Sequence, residues 1–332
     1  MEVLVPIENF VIEKKFELGG ISFFPANKFD FSKMKAEQSL LEDFYSEGTI
    51  NCLSLRDAQS MASGVTIEDI LNVTLAKIWL EWPDNGYSEN SREDDEILIL
   101  KACEKVDRVM DFIRVMFCRM DLTVMNPGLA GLLHNGFSVV VLTAPQDNSY
   151  YRIAASRFYG LSMVNGLGLE LDSDQIEDLC NETDFSIIFN CSGDYSSELC
   201  KTALRRLSEA MYIPNIDSKF IYLMTTLETV ASPDYMGFKK VKSRILPFIA
   251  NSKKEYFTLA DELQSFSEDI RTEIVHNGKS LTDIRNNEYK KILLRLQSYV
   301  TNFVLGVQRS NCSTNEDIEA FRIAKLRQLG IN

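Results

Sequence analysis

Histidine is scarce in this sequence of 332 residues: there are two, His134 and His276. Two imidazoles cannot build a histidine-rich metal centre. The seven cysteines, Cys52, Cys103, Cys118, Cys180, Cys191, Cys200 and Cys312, are odd in number and contain no C-x-x-C pair. That argues against a zinc ribbon and against a disulfide framework, and makes reduced thiols the expectation. No run approaches the roughly 18 consecutive apolar residues of a membrane span; the longest, Phe137 to Ala144, is strand-sized. The opening Met1 to Pro6 lacks a basic segment and is interrupted by Glu2, Pro6 and Glu8, so no secretory signal is read and a cytoplasmic protein with no membrane partner is expected. Also missing are G-x-x-x-x-G-K-[ST], G-x-S-x-G and H-E-x-x-H, which removes the commonest phosphate-loop, hydrolase and zinc-protease signatures. No cofactor and no metal are expected.

What remains is an ordinary globular composition, 45% apolar and 10% aromatic, long enough for two domains. The net charge of −13 argues at first against a polyanionic partner. It is unevenly spread. Residues 1–200 hold 15 basic and 33 acidic side chains, a balance of −18, whereas 201–332 hold 20 and 15, a balance of +5. A more basic half hints at a nucleic-acid-facing part.

The first half reads as mixed α/β. Alternation from Phe10 to Phe16, then Gly19-Gly20 and Ile21 to Phe24, suggests a hairpin, and a second spans Phe137 to Leu142 and Tyr150 to Ala154, joined through Pro145 to Asn148. Between them, Leu98, Ala102, Val106, Val109, Ile113 and Phe117 recur at helical spacing behind a capping pair, Ser91 and Asp94. The acidic run Glu93 to Glu96 suits the positive end of that helix. Asp184 to Phe189 looks like a last strand, and Cys191 to Asp194 a turn. Beyond it the pattern is helical, at about 195–211, 218–231, 239–250, 259–277, 283–308 and 316–328. The boundary is placed at 194, giving an acidic mixed α/β domain, 1–194, and an all-α domain, 195–332. Trp79 and Trp82 read as core or domain-interface residues, and His134, followed by Asn135-Gly136, as the end of a short helix.

The segment Thr258 to Lys279 is the most informative. Thr258 and Asp261 fit a capping box, so a helix is expected from about Leu259. Leu259, Leu263, Phe266, Ile270 and Ile274 form an apolar stripe that must face a helical core. Gly278 is the usual left-handed terminator, which puts His276 in the last turn. A histidine there exchanges protons readily near neutral pH, and Arg271 offers a permanently charged fork suited to phosphate.

Arg271-Thr272-Glu273-Ile274-Val275-His276-Asn277-Gly278 matches the R-x4-6-H motif, and on these residues the chain resembles HEPN domains, all-helical modules of which many are metal-independent endoribonucleases. The resemblance is greatest to ApeA-like HEPN proteins of bacterial anti-phage defence. Lys219 to Leu223 with Leu227-Glu228 are similar to an earlier helix of that group, and Ile7 to Phe10 and Gly19 to Phe24 to its non-catalytic N-terminal domain. The residue after the arginine is often Asn, Asp or His in the most active members; here it is Thr272.

The resemblance implies an RNA-cleaving homodimer with Arg271 and His276 at a composite site. Helix geometry agrees that one chain does not readily aim both at one phosphate, because at 100° per residue they stand about 140° apart. Thr272 shares the face of His276, and Glu228 and Asn277 are candidate supporting residues. Lys239, Lys240, Lys242 and Arg244 form the densest basic cluster and could steer an RNA backbone. An activating ligand or phage protein is expected at the N-terminal domain. Plainer readings stand beside these. His276 could bond terminal carbonyls while Arg271 pairs with Glu268 or Glu273, Glu228 could be a solvated acid, and the lysines a solvated face. The chain would then be a non-catalytic module that binds RNA, nucleotide or a partner protein, or a dimeric scaffold.

Overall fold

The computed structural model describes residues 1–32, 34–36, 63–81, 92–143, 150–157, 167–189, 193–232 and 236–331. Ser91, Trp82, the turn Pro145 to Asn148, and Cys191 with Ser192 lie outside the described residues. The chain divides into two compact units, one formed by 1–110 and 124–181, the other by 111–123 and 182–332. An N-terminal unit built on a largely antiparallel sheet thus precedes a mostly helical C-terminal unit. The sequence places the boundary at 194; the compact units separate between 181 and 182, and the helical one also takes in 111–123.

The strands are β1 (Glu2–Ile7), β2 (Phe10–Ile12), β3 (Phe16–Leu18), β4 (Ile21–Phe24), β5 (Lys35–Ala36), β6 (Thr74–Trp79), β7 (Ser138–Thr143), β8 (Tyr150–Ser156) and β9 (Leu169–Leu171). The helices are α1 (Ile67–Leu71), α2 (Arg92–Phe117), α3 (Ser173–Asn181), α4 (Tyr195–Met211), α5 (Ile216–Ala231), α6 (Phe238–Ile249), α7 (Lys253–Ser265), α8 (Thr272–Asn277), α9 (Leu281–Arg285), α10 (Tyr289–Ser310) and α11 (Asn315–Gln328). None of the helices among the described residues is long and apolar enough to cross a membrane.

In the main sheet the order is β3-β4-β6-β1-β7-β8-β5, antiparallel except where the short β5 joins β8. Central β1 is hydrogen-bonded on both edges, to β6 and β7, and Val3 to Ile7 are all buried. One face, carrying Leu4, Leu75, Val139, Val141 and Ala155, packs under Ile70 of α1 and the half-buried Phe29 and Phe31. The other carries Val3, Val5, Ala76, Ile78 and Val140. Arg152 and Ser156 on β8 reach Asp95 and Glu96 of α2 from that second face. Each fully buried Leu, Ile or Phe contributes about 1.5–3 kcal/mol, so the two faces dominate the unit's stability.

The second expected hairpin forms as read, with Val140 opposite Ala154 and Leu142 opposite Arg152. The first differs. Phe10 to Phe16 is not one strand, because β2 leaves the sheet to pair in parallel with β9, and the hairpin is β3–β4. Gly19 (φ 56°) and Gly20 (φ 76°) supply the two positive dihedrals of a two-residue turn, which fits the twist of the flanking strands. Two other expectations are corrected. Trp79 is 60% exposed, since the alternation that buries Ala76 and Ile78 turns it to the opposite face at the strand's end. His134 lies in a turn, where Nδ1 is 2.8 Å from Glu8 Oε1.

In the helical unit, α10 is the central element, burying Leu296, Val300, Phe303, Val304 and Val307 at helical spacing against α4, α5 and α6. Gly306 lets the backbones meet: an added Cβ would lie well inside contact distance of the Phe248 carbonyl oxygen. Gln297 of α10 anchors the 111–123 segment, its Oε1 accepting from Met120 N (2.8 Å) and its Nε2 donating to the Cys118 carbonyl (2.9 Å). Both polar ends of this buried side chain are satisfied. Asp194 and Asn215 cap α4 and α5 through the amides of Ser197 and Ser218. The strand expected at Asp184 to Phe189 is instead a 3₁₀ turn, Ser186–Phe189, against α4. A short apolar run does not distinguish strand from helix by periodicity, and here Ser186 and Ile188 amides bond three residues back.

Candidate functional site

The helix carrying the motif starts earlier than Thr258. Ser252 accepts from Glu255 N at 3.2 Å and Asn251 N donates to the Glu255 carboxylate at 2.8 Å, so α7 begins at Lys253. Thr258 lies inside it, its hydroxyl donating to the Lys254 carbonyl. The apolar stripe behaves as read at first: Leu259, Leu263, Phe266 and Ile270 are buried. From Phe266 to Arg271 the helix then widens into a π turn, in which Thr272 Oγ1 donates to the carbonyl of Ser267, five residues back (3.2 Å). The widened turn inserts one residue into the helical count and rotates the residues beyond it. Ile274 is consequently only half-buried, and Thr272, Val275 and His276 face outward on α8.

Arg271 is the last residue of that turn, and its Nη1 donates to Glu228 Oε1 on α5. The pair is half-buried, with side chains 30% and 22% exposed. Glu228 is therefore not simply a solvated acid. Nor does Arg271 pair with its own helix: Glu268 accepts from Gln264 Nε2, and Glu273 is held by Asn277 Nδ2 (2.9 Å) and Lys279 Nζ (2.5 Å). The Lys279 ammonium, and then the Asn277 amide, hold the Glu273 carboxyl below the usual carboxylate range. Asn277 is thus a strut of the helix end.

The expected terminator is present. Gly278 takes φ 65°, and its amide and that of Lys279 both donate to the Glu273 carbonyl. The backbone closes the end by itself, and His276 does not cap it. Its ring is exposed and has no hydrogen-bond partner among the described residues. Arg271 and His276 are five residues apart in helix, about 7.5 Å along the axis and about 140° around it. The chain anchors the guanidinium against α5 and leaves the imidazole facing outward.

The described side chains of the basic cluster on α6 differ in their partners. Lys240 is exposed, and Lys242 Nζ donates to Gln264 Oε1 at 2.8 Å on α7. Arg244 is committed internally, to Glu319 of α11 (2.9 Å) and to the Ala231 carbonyl (3.2 Å). The side chain of Lys239 lies outside what is described.

One residue that the sequence does not signal stands on the adjoining face. Arg206 of α4 donates through Nε to Thr226 Oγ1 (3.2 Å) and through Nη2 to Thr225 Oγ1 (3.1 Å), with its Cζ 4.4 Å from the centroid of the Tyr222 ring. It has no carboxylate partner among the described residues, unlike Arg244, Arg271, Arg295 and Arg322. No motif links it to Arg271, and only the packing of α4 on α5 brings it there.

No family model, no curated protein and no solved structure matches the chain. Among the described residues no group of three or more His, Cys, Asp or Glu side chains is placed to hold a metal ion.

Proposed function

We propose that this chain is an endoribonuclease of the HEPN type, cleaving RNA by attack of the 2′-OH at a composite site of a homodimer, in bacterial anti-phage defence or a toxin-like system. The observation that carries the reading is the division of labour in one helical segment: Arg271 is anchored by Glu228 at the end of a π turn, and His276 faces solvent one turn further on. π turns occur frequently at functional sites. A single chain sets the guanidinium and the imidazole on different sides of the helix, so two chains meeting on this face would complete one site.

In the proposed reaction His276 takes the proton from the 2′-OH, and O2′ attacks the adjacent phosphorus. The bond to O5′ breaks, and that oxygen takes a proton from water as it leaves; the products are a 2′,3′-cyclic phosphate and a 5′-OH, and His276 returns its proton to solvent. Arg271 stabilises charge on the non-bridging oxygens, Glu228 is a positioning residue that aims it, and Thr272, on the face of His276, orients the phosphate or the imidazole. Dependence on the 2′-OH makes DNA a non-substrate. The sheet unit senses a trigger, a ligand or phage protein, or restrains the site. Lys239, Lys240 and Lys242 offer backbone contacts; Arg244 serves the helical packing.

The second reading is a non-catalytic module that binds RNA, nucleotide or a partner protein. It is favoured by one observation, that part of the Arg271 charge is already answered by Glu228. Incubating wild type, Arg271→Ala and His276→Ala with total RNA in EDTA decides between them. Cleavage by wild type alone carries the enzyme reading. Retention of RNA without cleavage carries the module, and equal cleavage by all three refutes the roles given to both residues.

A further inference from the structure

The outward face of α5 lies between two guanidiniums. Thr225 and Glu228 are three residues apart on that helix, so their Cβ atoms are neighbours about 5–6 Å apart. At 100° per residue they stand about 60° apart, with Thr229 on the same exposed side. Arg271 reaches this face at Glu228. Arg206 reaches the edge of this face from α4, through Thr225 and the buried Thr226 behind it.

Arg206 is held ready rather than used up. The hydroxyls of Thr225 and Thr226 both donate to the Tyr222 carbonyl, at 2.9 and 2.8 Å, which leaves their lone pairs to accept from the guanidinium. Tyr222 stacks beneath it and donates its own hydroxyl to Glu209. The fork is fixed by neutral acceptors and an aromatic face, so its charge is not neutralised by contact. The acids nearby are engaged, Glu209 by Tyr222 and Glu228 by Arg271. A planar fork oriented in advance loses little freedom on gripping a phosphate.

We propose that Arg206 is a second phosphate-binding residue, and that it and Arg271 grip neighbouring phosphates of one single-stranded RNA laid along the outward face of α5. This rests on the reading of Arg271 as a phosphate contact. Arg206 acts in substrate binding and not in the chemical step, so it sets affinity and register.

The test measures binding of a labelled single-stranded RNA of about 12 nucleotides to the full chain carrying His276→Ala, over a salt series. Adding Arg206→Gln is expected to weaken binding about tenfold and to reduce the slope of log K against log salt by about 0.7, one phosphate contact fewer. Arg206→Lys, which keeps the charge and loses the fork, is expected to keep the slope while losing part of the affinity. Thermal unfolding of each variant separates this from a folding defect, because a structural role alone would lower Tm without a change of slope that tracks charge. Unchanged affinity and slope in Arg206→Gln would overturn the proposal, as would a parent protein that binds no RNA. Failure of the ribonuclease reading looks different: RNA held by the chain in an Arg206-dependent way but left uncut by the unsubstituted protein.

Discussion

Each unit sets an arginine against a carboxylate from another element, and the two pairs are built for different ends. In the sheet unit Arg152 meets Asp95 through both terminal nitrogens, at 3.0 and 2.8 Å, with side chains 19% and 5% exposed. In the helical unit Arg271 meets Glu228 through one nitrogen, with 30% and 22% exposed. The first is a closed bidentate clasp between sheet and helix, and the second holds a guanidinium by one nitrogen and leaves it partly exposed. A closed clasp belongs to stability; an open one can be both anchored and available.

That contrast yields graded predictions. Arg152→Ala takes the bidentate partner from a nearly buried carboxylate and should cost several kcal/mol, read as a large fall in the thermal unfolding midpoint. Arg271→Ala should lose about 10²–10³-fold of RNA cleavage, about 2.7–4 kcal/mol in the barrier. Its stability should fall by no more than about 1 kcal/mol. A stability loss as large as that of Arg152→Ala would erase the distinction between the two pairs. Within the helical core, Gly306→Ala should cost about 1–3 kcal/mol by pushing α10 off the Phe248 carbonyl, despite the gain in helix propensity; urea denaturation measures it.

The smallest effect concerns His134. The hydrogen bond that the protonated ring donates to Glu8, and then the Glu8 charge, raise the His134 pKa above the ordinary histidine value. Because the folded value is the higher one, the stabilisation is fully present below the unfolded-state pKa of about 6.5 and is lost as pH rises through the folded value. His134 should titrate above the ordinary histidine value in a proton NMR series, and Glu8→Gln should bring it down. The ring is largely exposed, so the effect on unfolding should be small.

Much of the helical unit is legible because caps and periodicity speak locally. Tyr195–Met211 and the stop at Gly278 are set by residues adjacent in sequence. The start at Ser252 escapes because Thr258 and Asp261 imitate a cap inside a helix. The π turn is invisible because the apolar stripe keeps ordinary helical spacing through Phe266 and Ile270. Glu228 can be suspected but not paired, because its partner lies several helices on, and Arg206 gives no signal, because its contact across two consecutive helices depends on their packing and not on any local pattern. In the sheet unit, alternation from Phe10 to Phe16 reads as one strand, but pairing partners, which sequence does not name, split it between β9 and β4.

The central claim is that one working site takes Arg271 from one chain and His276 from its partner. Subunit mixing tests it most directly. Arg271→Ala and His276→Ala proteins, each inactive alone, are combined, allowed to exchange chains, and assayed for RNA cleavage. A composite site predicts recovery of roughly a quarter of wild-type activity, because half of the dimers are mixed and each mixed dimer carries one intact site of two. No recovery, with chain exchange demonstrated and the wild type active, would contradict the account and place both residues in a site made by a single chain.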